Sequence, residues 1–394
     1  MTLRRLLRLP FALLLSISLV FLSTSMGQAQ AFDVDARAAI LIDASTGQVL
    51  YEKNADQPYE PASLVKIMTL LLAMDAVKAG QVSLADPVRT SARAAAIGGS
   101  QVYLAEGETH TLEKMLKAIA IASANDASVA VAEYLSGTEA AFVQLMNEKA
   151  QSLGMSNSYF ANAHGLPVDP GRRPSVASAR DMALAARVLV NKHPEVLVWT
   201  STVLETFREN PLFILYNTNG LVGKYDGLDG LKTGHTQAAG WCLVATAQRG
   251  NVRLISVVMG TASQAAREEQ TRRLLDYGFN RFVPVLAGEG RVGTVKVRTA
   301  ANEQVDVALA EPLWVHTPRG GSAVLRTEIV PVEGLAAPIA KGQHLGEMVV
   351  YLDDEPVVTA PVYAVDDVGR AGLLARAWRS VRDFFLSLLD RRSA

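Results

Sequence analysis

Apolar, β-forming runs bracket a helical middle, and this bracketing constrains the fold more than any other feature of the chain. Residues 38–43 and 48–51 flank Ala44-Ser45-Thr46-Gly47, which reads as strand, turn and strand. Far downstream, residues 241–246 and 252–259 flank Gln248-Arg249-Gly250-Asn251, which reads as a hairpin. Helical spacing fills the interval. One helix starts near Pro61 and stops near Gly80; residues 111–135 carry Leu112, Met115, Leu116 and Ile119 on one face behind a capping Thr111; residues 142–153 and 179–190 follow. An amphipathic stretch over 263–277 closes the series. Strands at both ends with helices between predict one antiparallel sheet on which the two ends meet, an α/β (α+β) class.

Beyond residue 282 the texture changes. Val295, Val297, Val305, Val307, Leu309, Val315 and Val324 fall in short alternating runs broken by Gly, Pro and Asp, which predicts a small all-β domain over 283–366. From 367 onward the chain predicts an amphipathic helix. Leu374, Trp378, Val381, Phe385 and Leu388 share one face, with Arg376, Arg379 and Asp383 opposite. Such a helix lies in a membrane interface, aromatic side chains inward and arginines toward anionic headgroups; the competing reading is a helix packed on its own β domain. At the other end, Arg4, Arg5 and Arg8, an apolar run over 11–22 and Ala29-Gln30-Ala31 form the three parts of a secretory signal peptide covering 1–31. The expectation is an exported, periplasmic protein attached to the outer face of the cytoplasmic membrane. A net charge of -1 argues against nucleic-acid binding, and a lone Cys242 with no His-Glu-x-x-His pair argues against a zinc site.

The helix after Pro61 contains an anomaly. In Glu60-Pro61-Ala62-Ser63-Leu64-Val65-Lys66-Ile67-Met68, a lysine interrupts an apolar face three residues after a serine. Positions i and i+3 project together, so Lys66 can meet Ser63. Burial beside Leu64, Ile67 and Leu70 disfavours the ammonium form, and a neutral amine can take the proton that makes serine nucleophilic. One Ser-x-x-Lys is weak, because a chain this long holds about one by chance. Two further clusters add weight. Ser123-Ala124-Asn125 places a hydroxyl and an amide in a small-residue stretch; alone it reads as a helix break or cap. Lys232-Thr233-Gly234 places an ammonium and a hydroxyl on a strand edge, with a glycine admitting a ligand backbone; alone it reads as a charged strand end.

Together and in this order the three clusters resemble the active-serine penicillin-recognising enzymes. Gly98-Gly99-Ser100-Gln101-Val102-Tyr103-Leu104, Asn162-Ala163-His164-Gly165-Leu166, Ser178-Ala179-Arg180-Asp181-Met182-Ala183 and Lys232-Thr233-Gly234-His235-Thr236 are similar to the D-alanyl-D-alanine carboxypeptidases, the low-molecular-mass penicillin-binding proteins, over residues 38–282. The middle motif has Ala124 where an Asp often stands. The resemblance implies a catalytic domain over 32–282 in which Ser63 attacks the bond between two terminal D-alanines, Lys66 takes its proton and Ser123 relays a proton to the leaving D-alanine. It implies that Asn125, Lys232, Thr233, Gly234 and His235 bind substrate, the last with Ser63 through backbone N–H groups of an oxyanion hole. No metal or cofactor is implied. The implied partners are peptidoglycan pentapeptide stems ending in D-Ala-D-Ala and β-lactam antibiotics as covalent inhibitors. Competing readings are a serine β-lactamase, a D,D-endopeptidase and an inactive wall-binding module. His164 reads as structural. Residues 207–228 match no pattern and carry no assigned role.

Overall fold

The computed structural model describes residues 32–375, 377–379 and 381–382; the expected signal peptide and the end of the tail helix lie outside them. The central sheet is antiparallel with strand order β2-β1-β9-β8-β7, built from β1 (Ala38–Asp43), β2 (Val49–Lys53), β7 (Leu228–Thr236), β8 (Gly240–Arg249) and β9 (Val252–Thr261). The first strand pairs with the last, Ala38 opposite Met259 and Asp43 opposite Leu254, so the two ends of this region do meet. Every residue of β1 is buried, because the sheet is covered on both faces. Ile40, Ile42, Ile255 and Val257 join the core formed with the helices. Leu41 and Leu254 face the other way, where Gly278 of α8 (Gln264–Arg281) lies so close that an added Cβ would clash with both.

The helical layer comprises α1 (Lys66–Lys78), α2 (Ala92–Ala96), α3 (Leu112–Ala122), α4 (Asn125–Ser136), α5 (Glu139–Ser152), α6 (Ala179–Lys192) and α7 (Val196–Thr200). Two short ribbons flank it: β3 (Pro87–Arg89) with β4 (Thr109–Thr111), and β5 (Leu204–Glu209) with β6 (Leu212–Tyr216). The structure departs from the expected single helix over 111–135. Thr111 caps α3 by accepting the Lys114 N–H, as expected, but Ser123 turns left-handed at φ 62° and starts a new helix at Asn125. Helical periodicity continues across the break because both helices bury apolar faces in one core.

Residues from Phe282 form β10 (Phe282–Gly288), β11 (Arg291–Lys296), β12 (Gln304–Leu309), β13 (Leu313–Pro318), β14 (Leu325–Pro331), β15 (His344–Leu352) and β16 (Glu355–Ala364). A second hydrophobic core, including Val295, Val307, Val315, Leu345 and Val362, lies among them. Gln48, beside β2, clamps this region to the first: its Nε2 donates to the His316 carbonyl (2.7 Å) and its Oε1 accepts the His316 N–H (2.6 Å). Residues 373–375, 377–379 and 381–382 are helical, with Leu373, Leu374, Trp378 and Val381 exposed. Of the arginines expected to face the headgroups, Arg376 lies outside the described residues and Arg379 is engaged by the β-rich region. Arg379 donates to the carbonyls of Arg298, Ala300 and Ala301 and pairs with Glu303 (2.8 Å), and Arg382 also pairs with Glu303 (3.0 Å). Among the described residues no helix is long and apolar enough to cross a membrane.

Candidate active site

Ser63 does not lie on α1 itself. It sits in a 3₁₀ turn, Ala62–Val65, that leads into α1 at Lys66. With three residues per turn, this helix stacks i over i+3 more directly than an α-helix does, and Lys66 Nζ lies 3.0 Å from Ser63 Oγ. Two neighbours hold the turn in place. Gly234 of β7 passes so close that an added Cβ would come within 2.8 Å of the Pro61 carbonyl oxygen and 3.2 Å of the Ser63 nitrogen. Gly165, at φ +86°, touches the Ala62 carbonyl, leaving no room for a side chain.

Lys66 is wholly buried. Besides Ser63, its Nζ contacts Asn125 Oδ1 (2.7 Å) and the His164 carbonyl (2.6 Å). Burial chiefly, then the charge of Lys232, holds its pKa well below that of a free lysine, against the opposing charge of Asp126. A neutral amine has two N–H groups and one lone pair. With Asn125 Oδ1 and the His164 carbonyl taking the two hydrogens, the lone pair is left for the Ser63 hydroxyl. That geometry equips Lys66 to act as a base toward Ser63.

Ser123 and Asn125 come from the break between α3 and α4. Ser123 Oγ is buried with no hydrogen-bond partner among the described residues. Asn125 Nδ2 donates to the Gly98 carbonyl (2.7 Å) and retains a second N–H. Lys232 is 1% exposed, and burial, reinforced by Arg267, lowers its pKa to about 7. Its Nζ donates to the Thr233 carbonyl (3.0 Å). The His235 ring is exposed and stacks on Trp241, centroids 3.9 Å apart. His164 is buried. Its Nδ1 accepts the Leu166 N–H (3.1 Å), Nε2 faces Glu139 (3.4 Å), and desolvation lowers its pKa to about 4. It contributes a carbonyl to Lys66 while its ring stays neutral and structural.

Three neighbours escaped the sequence reading. Arg267 of α8, 3% exposed, supplies a second cation behind Lys232, but nothing in the helical pattern of 263–277 singled it out. Asp126 is wholly buried and accepts the Val102 and Leu104 N–H groups; it follows Asn125 directly, and that adjacency was the only signal. Thr218 hydrogen-bonds Thr233 hydroxyl to hydroxyl at 2.7 Å. It falls in the stretch 207–228 that matched no pattern, and which the structure resolves as the β5–β6 hairpin and its exit.

The family model for D-alanyl-D-alanine carboxypeptidases, Peptidase S11, matches residues 24–263, and the model for the penicillin-binding protein 5 C-terminal domain matches 283–370. D-alanyl-D-alanine carboxypeptidase DacF of Bacillus subtilis (strain 168) is 41% identical over 355 residues, spanning 89% of this chain and 90% of that protein. DacC of Escherichia coli (strain K12) is 35% identical, spanning 89% of this chain and 88% of its own length. Penicillin-binding protein 5 of Haemophilus influenzae superposes with a TM-score of 0.74 at 32% identity, covering 86% of this chain and 98% of that structure.

Proposed function

The chain belongs to the D-alanyl-D-alanine carboxypeptidase family, and from that premise we propose which of its residues carry out the acyl-serine reaction. It is a serine-type hydrolase that removes the terminal D-alanine from peptidoglycan stem peptides and is acylated by β-lactams. The observation that carries the residue assignment is the Lys66 amine, buried among Ser63 Oγ, Asn125 Oδ1 and the His164 carbonyl.

In the proposed sequence, substrate enters with its terminal carboxylate at Lys232 and Thr233, a charge-assisted contact strengthened by the field of Arg267. Thr218 holds the Thr233 hydroxyl in orientation. The free N–H of Asn125 donates to the peptide carbonyl upstream of the scissile bond. Lys66 takes the Ser63 proton as Oγ bonds to the scissile carbonyl carbon, and the backbone N–H groups of Ser63 and His235 receive the oxyanion. Loss of one such donor typically costs on the order of 10²–10³ in rate. Collapse breaks the C–N bond, and a proton passing through Ser123 leaves with the D-alanine amine. Water then adds to the ester, and its hydrolysis restores Ser63. The orphaned Ser123 hydroxyl supports this relay, since a buried hydroxyl without a partner is costly unless a ligand completes it.

The proposal extends to the cell. Residues 1–31 are a signal peptide, 32–282 the catalytic domain, 283–366 a β-rich spacer, and 367–394 a helix that attaches the protein to the outer face of the cytoplasmic membrane from the periplasm. The basic, apolar and small-residue segments of 1–31 support export. The exposed Leu373, Leu374, Trp378 and Val381 support attachment.

Intact-protein mass after penicillin treatment, with peptide mapping, tests the core assignment. The expected result is one adduct on Ser63, lost in Ser63→Ala, with D-alanine released from a pentapeptide by the untreated protein. An adduct at another residue, or nitrocefin turnover far outpacing D-alanine release, would overturn it.

A further inference from the structure

Tyr103 is 66% exposed, yet its backbone sits in the left-handed region at φ 55°. A bulky residue there is uncommon and persists only where its surroundings impose it. The surroundings are specific. The buried Asp126 carboxylate accepts the N–H groups on either side, Val102 (3.1 Å) and Leu104 (3.1 Å). Arg208 of β5 donates to the Val102 carbonyl and to the Tyr103 carbonyl (3.3 Å), and Glu108 pairs with Arg208 at 3.2 Å. A carboxylate and a guanidinium thus hold an unfavourable backbone so that an aromatic ring faces water.

The neighbours of the ring lead back to two residues of the proposed site. Its own loop serves Asn125, whose N–H donates to the Ser100 carbonyl (2.7 Å) and whose Nδ2 donates to Gly98 (2.7 Å). On the other side Tyr103 meets Phe213 of β6 edge to face, centroids 5.9 Å apart. The chain leaving β6 reaches Thr218, the partner of Thr233. The aromatic pair therefore joins the loop that holds Asn125 to the hairpin whose exit carries Thr218, and Leu212, 66% exposed on the same hairpin, extends the apolar surface.

We propose that Tyr103, backed by Phe213, is a specificity-determining contact for the residue immediately upstream of D-Ala-D-Ala, and that it favours a long, methylene-rich side chain there. The proposal rests on the carboxypeptidase reading above. A peptide with its carboxylate at Thr233 and its backbone at Asn125 projects that upstream residue beyond Asn125, on the side where the Tyr103 loop lies. A flat apolar ring complements methylene groups and leaves a charged tip in water.

The test compares kcat/KM of the full-length protein for diacetyl-L-lysyl-D-alanyl-D-alanine and acetylglycyl-D-alanyl-D-alanine. Tyr103→Ala should lower the value for the lysyl peptide about tenfold, the range for losing one apolar pocket contact, and for the glycyl peptide less than twofold. Tyr103→Phe should retain the preference. Tyr103→Gly, relaxed at this φ, should lose selectivity without a drop in melting temperature, which separates loss of the ring from misfolding. An equal fall on both peptides, or no fall on either, overturns the Tyr103 assignment alone, with labelling of Ser63 by fluorescent penicillin intact. Wild-type protein that releases D-alanine from neither peptide overturns the carboxypeptidase reading and this proposal together.

Discussion

At the scale of single residues, two buried lysines dominate. In the proposed mechanism each works in a protonation state set by the fold, and the two states are opposite: Lys66 neutral to accept a proton, Lys232 charged to hold a carboxylate. The free enzyme's kcat/KM should therefore be bell-shaped in pH. It falls on the acid side as Lys66 is protonated and on the alkaline side as Lys232 loses its proton near 7. A bound carboxylate favours protonated Lys232, so the alkaline limb of kcat should lie above that of kcat/KM; coincident limbs would detach Lys232 from the carboxylate. Lys66→Arg should abolish penicillin acylation, because arginine keeps its proton near neutral pH; stopped-flow labelling at the wild-type rate would refute the base assignment. The fold also bears an energetic cost. Lys232 in the unfolded chain keeps its proton to about pH 10.5 but loses it near 7 when folded. Between those values the unfolded state holds more protons, so this lysine costs stability increasingly as pH falls from about 10.5 to about 7 and by a constant amount below. The full penalty is on the order of 5 kcal/mol. Lys232→Met should therefore raise the melting temperature at pH 7 by several degrees while losing D-alanine release, as calorimetry and a release assay would show.

Among the elements, the 3₁₀ turn carrying Ser63 depends on neighbours that leave it room. Gly165→Ala should push the Ala62 carbonyl and strain a positive φ, costing about 2 kcal/mol of stability and slowing acylation of Ser63 well over tenfold; urea unfolding and penicillin labelling would measure both. The elements also show how far a sequence can be read. The β1–β2 and β8–β9 pairs and α1, α5, α6 and α8 were legible, because each carries a clean period or turn signal. The Ser63–Lys66 approach was legible because i, i+3 spacing holds in either type of helix. The break at Ser123 was not, since apolar positions on α3 and α4 keep one period across it. Nor was the β5–β6 hairpin, because cross-strand pairs such as Leu204 and Tyr216 leave exposed apolar residues that blur alternation. Arg267, Thr218 and the His164 carbonyl act through tertiary proximity, which spacing along the chain does not encode.

For the whole molecule, the joint between the catalytic region and the β-rich region rests partly on one amide. Gln48→Ala would leave the His316 N–H and carbonyl unpaired in a buried setting. It should lower stability by about 1–3 kcal/mol with D-alanine release within twofold of wild type, and a melt with an earlier or split transition would register it. Deleting residues 371–394 should free active protein from membranes; a truncated form that still sediments with them would overturn attachment through the tail. The manner of the proposed attachment follows from Glu303 and the carbonyls of Arg298, Ala300 and Ala301. They already engage Arg379 and Arg382, so neither guanidinium is at liberty to seek lipid phosphate. Among the described residues, adhesion should then come from Leu373, Leu374, Trp378 and Val381 wedging among acyl chains. A concentrated sodium chloride rinse would leave the protein on vesicles, and a mild detergent would lift it off.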